Sequence, residues 1–176
     1  MIDFDIVVAH DHSKGIGKNN QLIWSIPEDM AFFKQLTTSS NNTMHTVIMG
    51  RATYDSLPQR FKPLPGRHNV VLTRSKRQNE PNTYFVTSIQ AALEQAKALF
   101  DSQQTEKVFC IGGGQIYRDM INHPHCKTLY ITKVLQSFDC DAFFPEYETS
   151  FTCHSSTDVK LSAKQHLQYQ FQTWVH

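Results

Sequence analysis

The sequence has no apolar run near the roughly 18 residues that a helix needs to span a bilayer. Its longest aliphatic stretches are only Ile6 to Ala9 and Val47 to Met49, so no membrane partner is expected. It has little cysteine. Cys110, Cys126, Cys140 and Cys153 lie far apart with no C-x-x-C pair, which excludes a zinc knuckle or a thioredoxin-type motif and leaves free thiols as the expectation. It has almost no excess charge: 17 Lys and Arg face 16 Asp and Glu, a formal +1, so bulk attraction to nucleic acid is not expected. No basic residue leads an apolar run at the start, Met-Ile-Asp-Phe-Asp, so no secretory signal is read there and a cytoplasmic location is expected. Repeats and low-complexity tracts are missing too, and the Ser/Thr/Asn tract Thr37 to Thr43 reads as a loop. What is present suits one folded domain over residues 1–176, with 40% hydrophobic and 19% charged residues.

Short β-branched or apolar runs predict strands at Ile6–Ala9, Thr46–Met49, Asn69–Thr73, Thr83–Val86, Val108–Ile111 and Leu129–Val134. Between them, Pro27–Leu36, Ala52–Leu57, Ile89–Phe100 and Gln115–Ile121 read as helices. The alternation predicts an α/β fold with a largely parallel sheet covered on both sides. After Pro145 the pattern changes: Leu167, Tyr169, Phe171 and Val175 alternate with glutamines, which predicts a half-buried strand with Phe151–Thr157 as its antiparallel partner.

Ser25 and Glu28 have capping-box spacing and Pro27 suits a first turn, so a helix is expected to start there. On it Asp29 shares a face with Phe32, Phe33 and Leu36, whereas Glu28 points elsewhere, toward solvent. An acid in a first turn can simply complement the helix dipole; an acid on an apolar stripe needs a partner, a ligand or a proton. Ile111-Gly112-Gly113-Gly114-Gln115 joins a strand to a helix, and Gly50-Arg51-Ala52-Thr53 does so again, so two helix starts could meet the phosphates of a dinucleotide. Arg74 follows a third strand and could share a phosphate monoester with Arg51. Pro63-Leu64-Pro65-Gly66-Arg67 is a stiff turn that aims one arginine, as for a carboxylate. Two H-x-H pairs, His10/His12 and His123/His125, lack the further ligands a metal needs, and no metal site is expected.

These segments, in this order and over essentially the whole chain, resemble the dihydrofolate reductase family. The resemblance also rests on Gly15-Ile16-Gly17, Leu22-Ile23-Trp24, Tyr54-x-Ser56, Leu129-Tyr130-Ile131-Thr132, and Asp141 with Phe144-Pro145. It implies a central eight-stranded mixed, mostly parallel sheet with flanking helices and a C-terminal antiparallel hairpin. It implies reduction of 7,8-dihydrofolate to tetrahydrofolate with NADPH, feeding one-carbon metabolism, by a monomer open to antifolate inhibitors. Hydride would pass from nicotinamide C4 to pterin C6 with protonation at N5, water delivering the proton and Asp29 promoting its uptake. By position, Asp29 would hold the pterin 2-amino group and N3, with Thr132 bonded to its carboxylate and Trp24 holding a nearby water; Leu22 would be a further catalytic residue. Val7, Val8, Met30, Phe33, Leu57, Leu64, Ile111 and Tyr117 would line the substrate, and Arg67 would take the glutamate α-carboxylate. Ala9, Ile16, Ile111 and Tyr117 would face the nicotinamide, Gly113, Gly114 and Thr53 would meet the pyrophosphate, and Arg51 and Arg74 the 2′-phosphate. Gly17, Gly50, Ala52, Thr73, Gly112, Gln115 and Ile116 would complete the cofactor site. Gly15 to Trp24 would be the mobile loop that closes over the nicotinamide.

Four features depart from the family pattern. Ile23 stands where proline usually precedes the tryptophan, Ala52 replaces a longer residue, Tyr54 replaces a tryptophan, and Thr37 to His45 is long. Two other readings stay open: a riboflavin-pathway reductase of the same fold, and a non-catalytic nucleotide- or metal-binding module.

Overall fold

The computed structural model describes residues 1–176. In chain order its elements are β1 (Phe4–His10), β2 (Gly15–Gly17), α1 (Pro27–Thr37), β3 (Met44–Gly50), α2 (Arg51–Ser56), β4 (Arg67–Leu72), β5 (Thr83–Val86) and α3 (Ile89–Asp101). There follow β6 (Thr105–Cys110), α4 (Gly114–Ile121), β7 (Cys126–Val134), β8 (Ala142–Phe143), β9 (Thr152–Ser156), β10 (Lys160–Leu161) and β11 (Gln168–Val175). All six predicted inner strands and four predicted helices form, with no end moved by more than three residues.

The sheet runs β11–β7–β1–β6–β3–β4–β5, and β9 and β10 share the outermost place beside β11. The strands from β7 to β5 are parallel, and β11 is antiparallel to β7, pairing Phe171 with Thr132. The expected hairpin partner is therefore split: β9 pairs the end of β11, β10 pairs its start, and the register shifts between Thr173 and Trp174. β2 and β8 form a separate two-stranded ribbon.

Alternation along the strands sorts the core into two unequal faces. Ile6, Val8, Ile48, Val70 and Cys110 point to one side, where α3 and α4 cover a cluster of 20 buried residues. Val7, Val47, Met49, Val71 and Phe109 point to the other, where the buried cluster has only seven residues and Phe33, Leu36 and Leu57 lean on it. The less thickly covered face is where a ligand can replace missing core. Topology points there as well. The chain moves outward through β3, β4 and β5, returns to lay β6 between β1 and β3, and leaves in the opposite direction through β7 and β11. Open α/β sheets bind ligands outside the carboxyl ends of the strands at such reversals.

The capping box does not form. The N-cap is Ile26, with no side-chain cap, and α1 starts at Pro27, whose missing N–H removes one orphan donor. Ile26 is buried with Trp24, Val134, Leu167 and Tyr169, and this apolar anchor fixes the chain's entry into the helix. Ser25 N donates to Gln165 Oε1 instead. Glu28 is not free in solvent, because its Oε1 accepts from Ala163 N at 3.0 Å, and that bond holds its pKa below the usual value.

Candidate active site

Asp29 stands in the first turn of α1, facing β7. Thr132 Oγ1 donates to its Oδ1 at 2.6 Å. Thr132 is itself fixed from both sides, registered with Ala9 on β1 and Phe171 on β11. Burial raises the Asp29 pKa and the Thr132 bond only partly opposes it; no cation contributes. The carboxylate therefore has one donor and no counter-charge in the chain. Its expected apolar neighbours separate into two groups. Phe32 stacks on Phe171 with ring centroids 4.5 Å apart, whereas Phe33 turns to the seven-residue cluster with Val7, Leu57, Leu64 and Ile111.

One pocket assignment needs correction. Val8 points into the large core on the opposite face, because neighbouring strand residues alternate, so of the two only Val7 belongs to the cluster that Phe33, Leu57 and Leu64 join. Met30 is 55% exposed and Leu22 51%, so neither is part of the buried wall. Trp24 is buried against Phe138, centroids 5.4 Å apart, with no protein partner for Nε1.

At the far end of α1 the Pro65-Gly66 turn aims Arg67 as expected. Gly66 has φ +70°, which glycine adopts without strain. The buried amide of Asn69 braces the turn, accepting from Leu64 N at 2.9 Å and donating to Leu64 O and Arg67 O. Arg67 Nε donates to Pro65 O and Nη1 to Thr37 Oγ1, both at 3.0 Å. The residue is 4% exposed, and burial lowers its pKa with no carboxylate to offset it. A buried guanidinium with spare donors and no anion in its own chain is a receptor for an external carboxylate.

The two glycine turns come together. Gly50 N donates to Gly112 O at 2.8 Å, and a Cβ placed on Gly113 would stand 3.3 Å from Thr53 Oγ1. Gly112 has φ +111°, and a Cβ there would press on the Tyr117 ring at 3.0 Å, so backbone occupies space that a side chain would fill. Tyr117 lies underneath the turn, 5% exposed, its hydroxyl donating to Val7 O at 2.7 Å; it supports the floor from the core side. Ile116 packs toward Gly50, and Gln115 is exposed and bonded to Asp119. Arg51 pairs with Asp55, Nε to Oδ2 3.8 Å. Ala52 and Arg74 are exposed, and Thr73 is buried with its hydroxyl 3.3 Å from Ser75 Oγ. The two helix starts and the Thr53 hydroxyl lie side by side, an arrangement that suits the phosphates of a dinucleotide, and Arg51 is on the same turn.

The loop from Gly15 seats Ile16 close to this turn, its Cδ1 3.7 Å from where a Gly114 Cβ would stand. Beneath it is a residue the sequence reasoning missed. Asp11 is fully buried, with Oδ1 accepting from Ser13 N and Gly15 N, and Oδ2 from Phe138 N at 2.7 Å. An Asp ending a strand two residues before Ser and four before Gly is an Asx-turn signal that could have found it. No group of three His, Cys, Asp or Glu side chains is placed to hold a metal ion, and the histidine pairs have other partners. His10 is buried, its Nδ1 donating to Asp11 O at 2.7 Å and its Nε2 accepting from Tyr147 Oη at 3.0 Å, while His12 is exposed. His125 pairs with Asp3. Of the departures, Tyr54 packs edge-on to Phe85 at 5.8 Å, and the long loop is tied down by Glu106, which accepts from Ser39 and Asn41.

No helix is long and apolar enough to cross a membrane. A family model described as dihydrofolate reductase matches residues 3–176. Over 155 residues the chain is 34% identical to a Drosophila melanogaster dihydrofolate reductase, covering 86% of this chain and 84% of the fly protein. It is 43% identical over 152 residues to a bifunctional dihydrofolate reductase-thymidylate synthase 2 of Arabidopsis thaliana, and 39% identical over 178 residues to a Glycine max bifunctional protein. These matches cover 84% and 98% of this chain but only 27% and 33% of the plant proteins, so the chain spans about a third or less of those relatives. With a family model matching residues 3–176 and a fly relative 34% identical over most of both chains, the chain belongs to the dihydrofolate reductase family.

Proposed function

We propose that this chain reduces 7,8-dihydrofolate to tetrahydrofolate with NADPH. The observation that carries the reading is a pair of unpartnered charges at the two ends of α1. One partly buried carboxylate without a counter-charge, Asp29, stands in its first turn, and one buried guanidinium without an anion, Arg67, is bonded to Thr37 at its last residue. A ligand with a hydrogen-bond-donating heterocycle at one end and a carboxylate at the other answers both, with Val7, Phe33, Leu57 and Leu64 against the rings between. Asp29 would hold the 2-amino group and N3, fixed by Thr132, and its negative charge would favour a proton at N5. Arg67 would clamp the α-carboxylate. The cofactor, when bound, supplies hydride from nicotinamide C4. Gly112 to Gly114 and Thr53 would hold its pyrophosphate, and Ile16 would shield the nicotinamide side from water.

The direct test is loss of NADPH absorbance with purified protein. Oxidation should require dihydrofolate and be unaffected by a chelator. No turnover with fresh dihydrofolate, together with reduction of a ribosylated pyrimidine, would hand the chain to the riboflavin-pathway reading.

Arg51 already shares its charge with Asp55, so Arg74 should carry more of the 2′-phosphate recognition. Arg74→Ala should reduce the preference for NADPH over NADH roughly tenfold, near 1.5 kcal/mol for one charge-assisted contact. The measurement is the ratio of kcat/KM for the two cofactors, and an unchanged ratio would move the phosphate to Arg51.

A further inference from the structure

Arg118 is the fifth residue of α4, the helix that opens at Gly114. Long helical side chains lean back over the turn that precedes them, and this one does so. Its Nη1 stands 3.6 Å from where a Gly114 Cβ would be, with Ile16 Cδ1 3.7 Å from the same point. Its only hydrogen bond in the chain runs from Nη2 to Gln115 Oε1, at 2.9 Å. Gln115 is engaged at its other end too, where Nε2 donates to Asp119 Oδ1 at 2.9 Å. The amide therefore bridges the guanidinium and the neighbouring carboxylate without letting them pair, and Arg118 enters none of the ion pairs of the chain. A cation brought to the first turn of its own helix meets the positive end of the macrodipole, the least favourable place for it, and here no acid offsets the cost. Arg118 is exposed, so water absorbs part of that cost; an anion at the glycine turn would reverse it.

We propose that Arg118 is a cofactor-binding residue that pairs with the diphosphate of a nicotinamide dinucleotide at the Gly113–Gly114 turn, and that Gln115 is the positioning residue that holds it there. This rests on the NADPH-dependent reading above. The sequence pattern puts Gln115 at the pyrophosphate; the side chain that it presents to that place is the arginine one turn on. The diphosphate is common to NADPH and NADH, so Arg118 adds affinity for both and leaves the choice between them to the 2′-phosphate contacts. Its charge is solvated before the ligand arrives, so the gain is smaller than that of a buried clamp.

The test is equilibrium binding of NADPH and of NADH to the ligand-free whole chain, followed by tryptophan fluorescence, in Arg118→Gln, Arg118→Lys, Gln115→Ala and the Arg118→Gln/Gln115→Ala double variant. Arg118→Gln should raise both dissociation constants about five- to tenfold with their ratio unchanged, and the loss should shrink as salt is added. Arg118→Lys should recover part of the affinity, since it keeps the charge but not the fork that can bond Gln115 and phosphate together. Gln115→Ala should cost about two- to threefold alone and nothing further once Arg118 is gone. The thermal midpoint of ligand-free Arg118→Gln should not fall, which separates a lost contact from a lost fold. Unchanged dissociation constants in Arg118→Gln would overturn the proposal, and so would a change confined to NADPH, which would move the side chain to the 2′-phosphate. A Gln115→Ala loss that persists in full in the double variant would overturn the positioning role. If the wild type binds neither cofactor, the functional reading fails and the assignment with it; if it binds both and Arg118→Gln binds them equally well, the assignment alone fails.

Discussion

Asp29→Asn should lower dihydrofolate turnover at pH 7 by roughly 10²–10⁴-fold, about 2.7–5.4 kcal/mol at 1.36 kcal/mol per decade, while making the ligand-free protein more resistant to heat. Both effects come from one environment. The carboxylate sits on an apolar face with a single donor, Thr132, and its pKa is raised by burial. The amide keeps the shape and can accept the Thr132 bond, but it cannot supply the negative charge at N3 that favours a proton at N5. Activity of the variant should recover partly in acidic buffer, where solvent supplies the proton. The stability effect has a definite sign. A folded-state pKa above the unfolded value means that the folded chain holds more protons between the two values, so wild-type stability falls as pH rises through that window and stays lower above it. The amide does not ionise, so its advantage in thermal midpoint should be present at pH 7 and vanish below the unfolded carboxylate pKa. Glu28→Gln is the control: its oxygen can still accept from Ala163 N, and turnover should change little. Near wild-type turnover in Asp29→Asn, or damage from Glu28→Gln instead, would remove the acid from this helix.

Arg67→Leu should raise KM for dihydrofolate roughly 10²-fold, with kcat changed far less and NADPH affinity nearly unchanged. Each charge-assisted hydrogen bond contributes about 1.5–3 kcal/mol, and the lost carboxylate clamp lies at the end of α1 away from Asp29. A pteridine without the glutamate should not distinguish variant from wild type. The ligand-free fold should tolerate the change, because the guanidinium is buried without an anion and its two internal bonds, to Pro65 O and Thr37 Oγ1, only partly offset that cost. Loss of NADPH affinity in place of dihydrofolate affinity would show that the turn serves the other ligand.

Asp29 was legible because helical spacing puts it on the stripe of Phe33 and Leu36, and Arg67 because Pro65-Gly66 allows few backbone paths. The glycine turns were legible by type, since each joins a strand to a helix. Their approach to within hydrogen-bonding distance was not, because it depends on β6 being inserted beside β3, a long-range event that local sequence does not encode. The false capping box failed for the opposite reason: Ser25 and Glu28 have the correct local spacing, but Gln165 and Ala163 on the returning chain claim them. Val8 was assigned to the pocket from its neighbourhood, although strand alternation would have turned it away. Asn69 within β4 and Asp11 just past the end of β1 escaped notice as polar residues beside apolar runs, where burial reverses their meaning.

The row Ala9, Thr132, Phe171 ties the site to both ends of the chain. Asp29 meets its only protein donor across a sequence separation of 103 residues, and the strand bearing that donor is held between β1 and β11, which come from opposite ends of the chain. Contacts this distant carry a larger loop-closure cost than the local helices or the β3–β4–β5 crossovers do. Without β7 and β11 docked, Asp29 has no partner in the chain. A ligand that gripped Asp29 and Thr132 together would act as a clasp on a seam between distant parts of the chain.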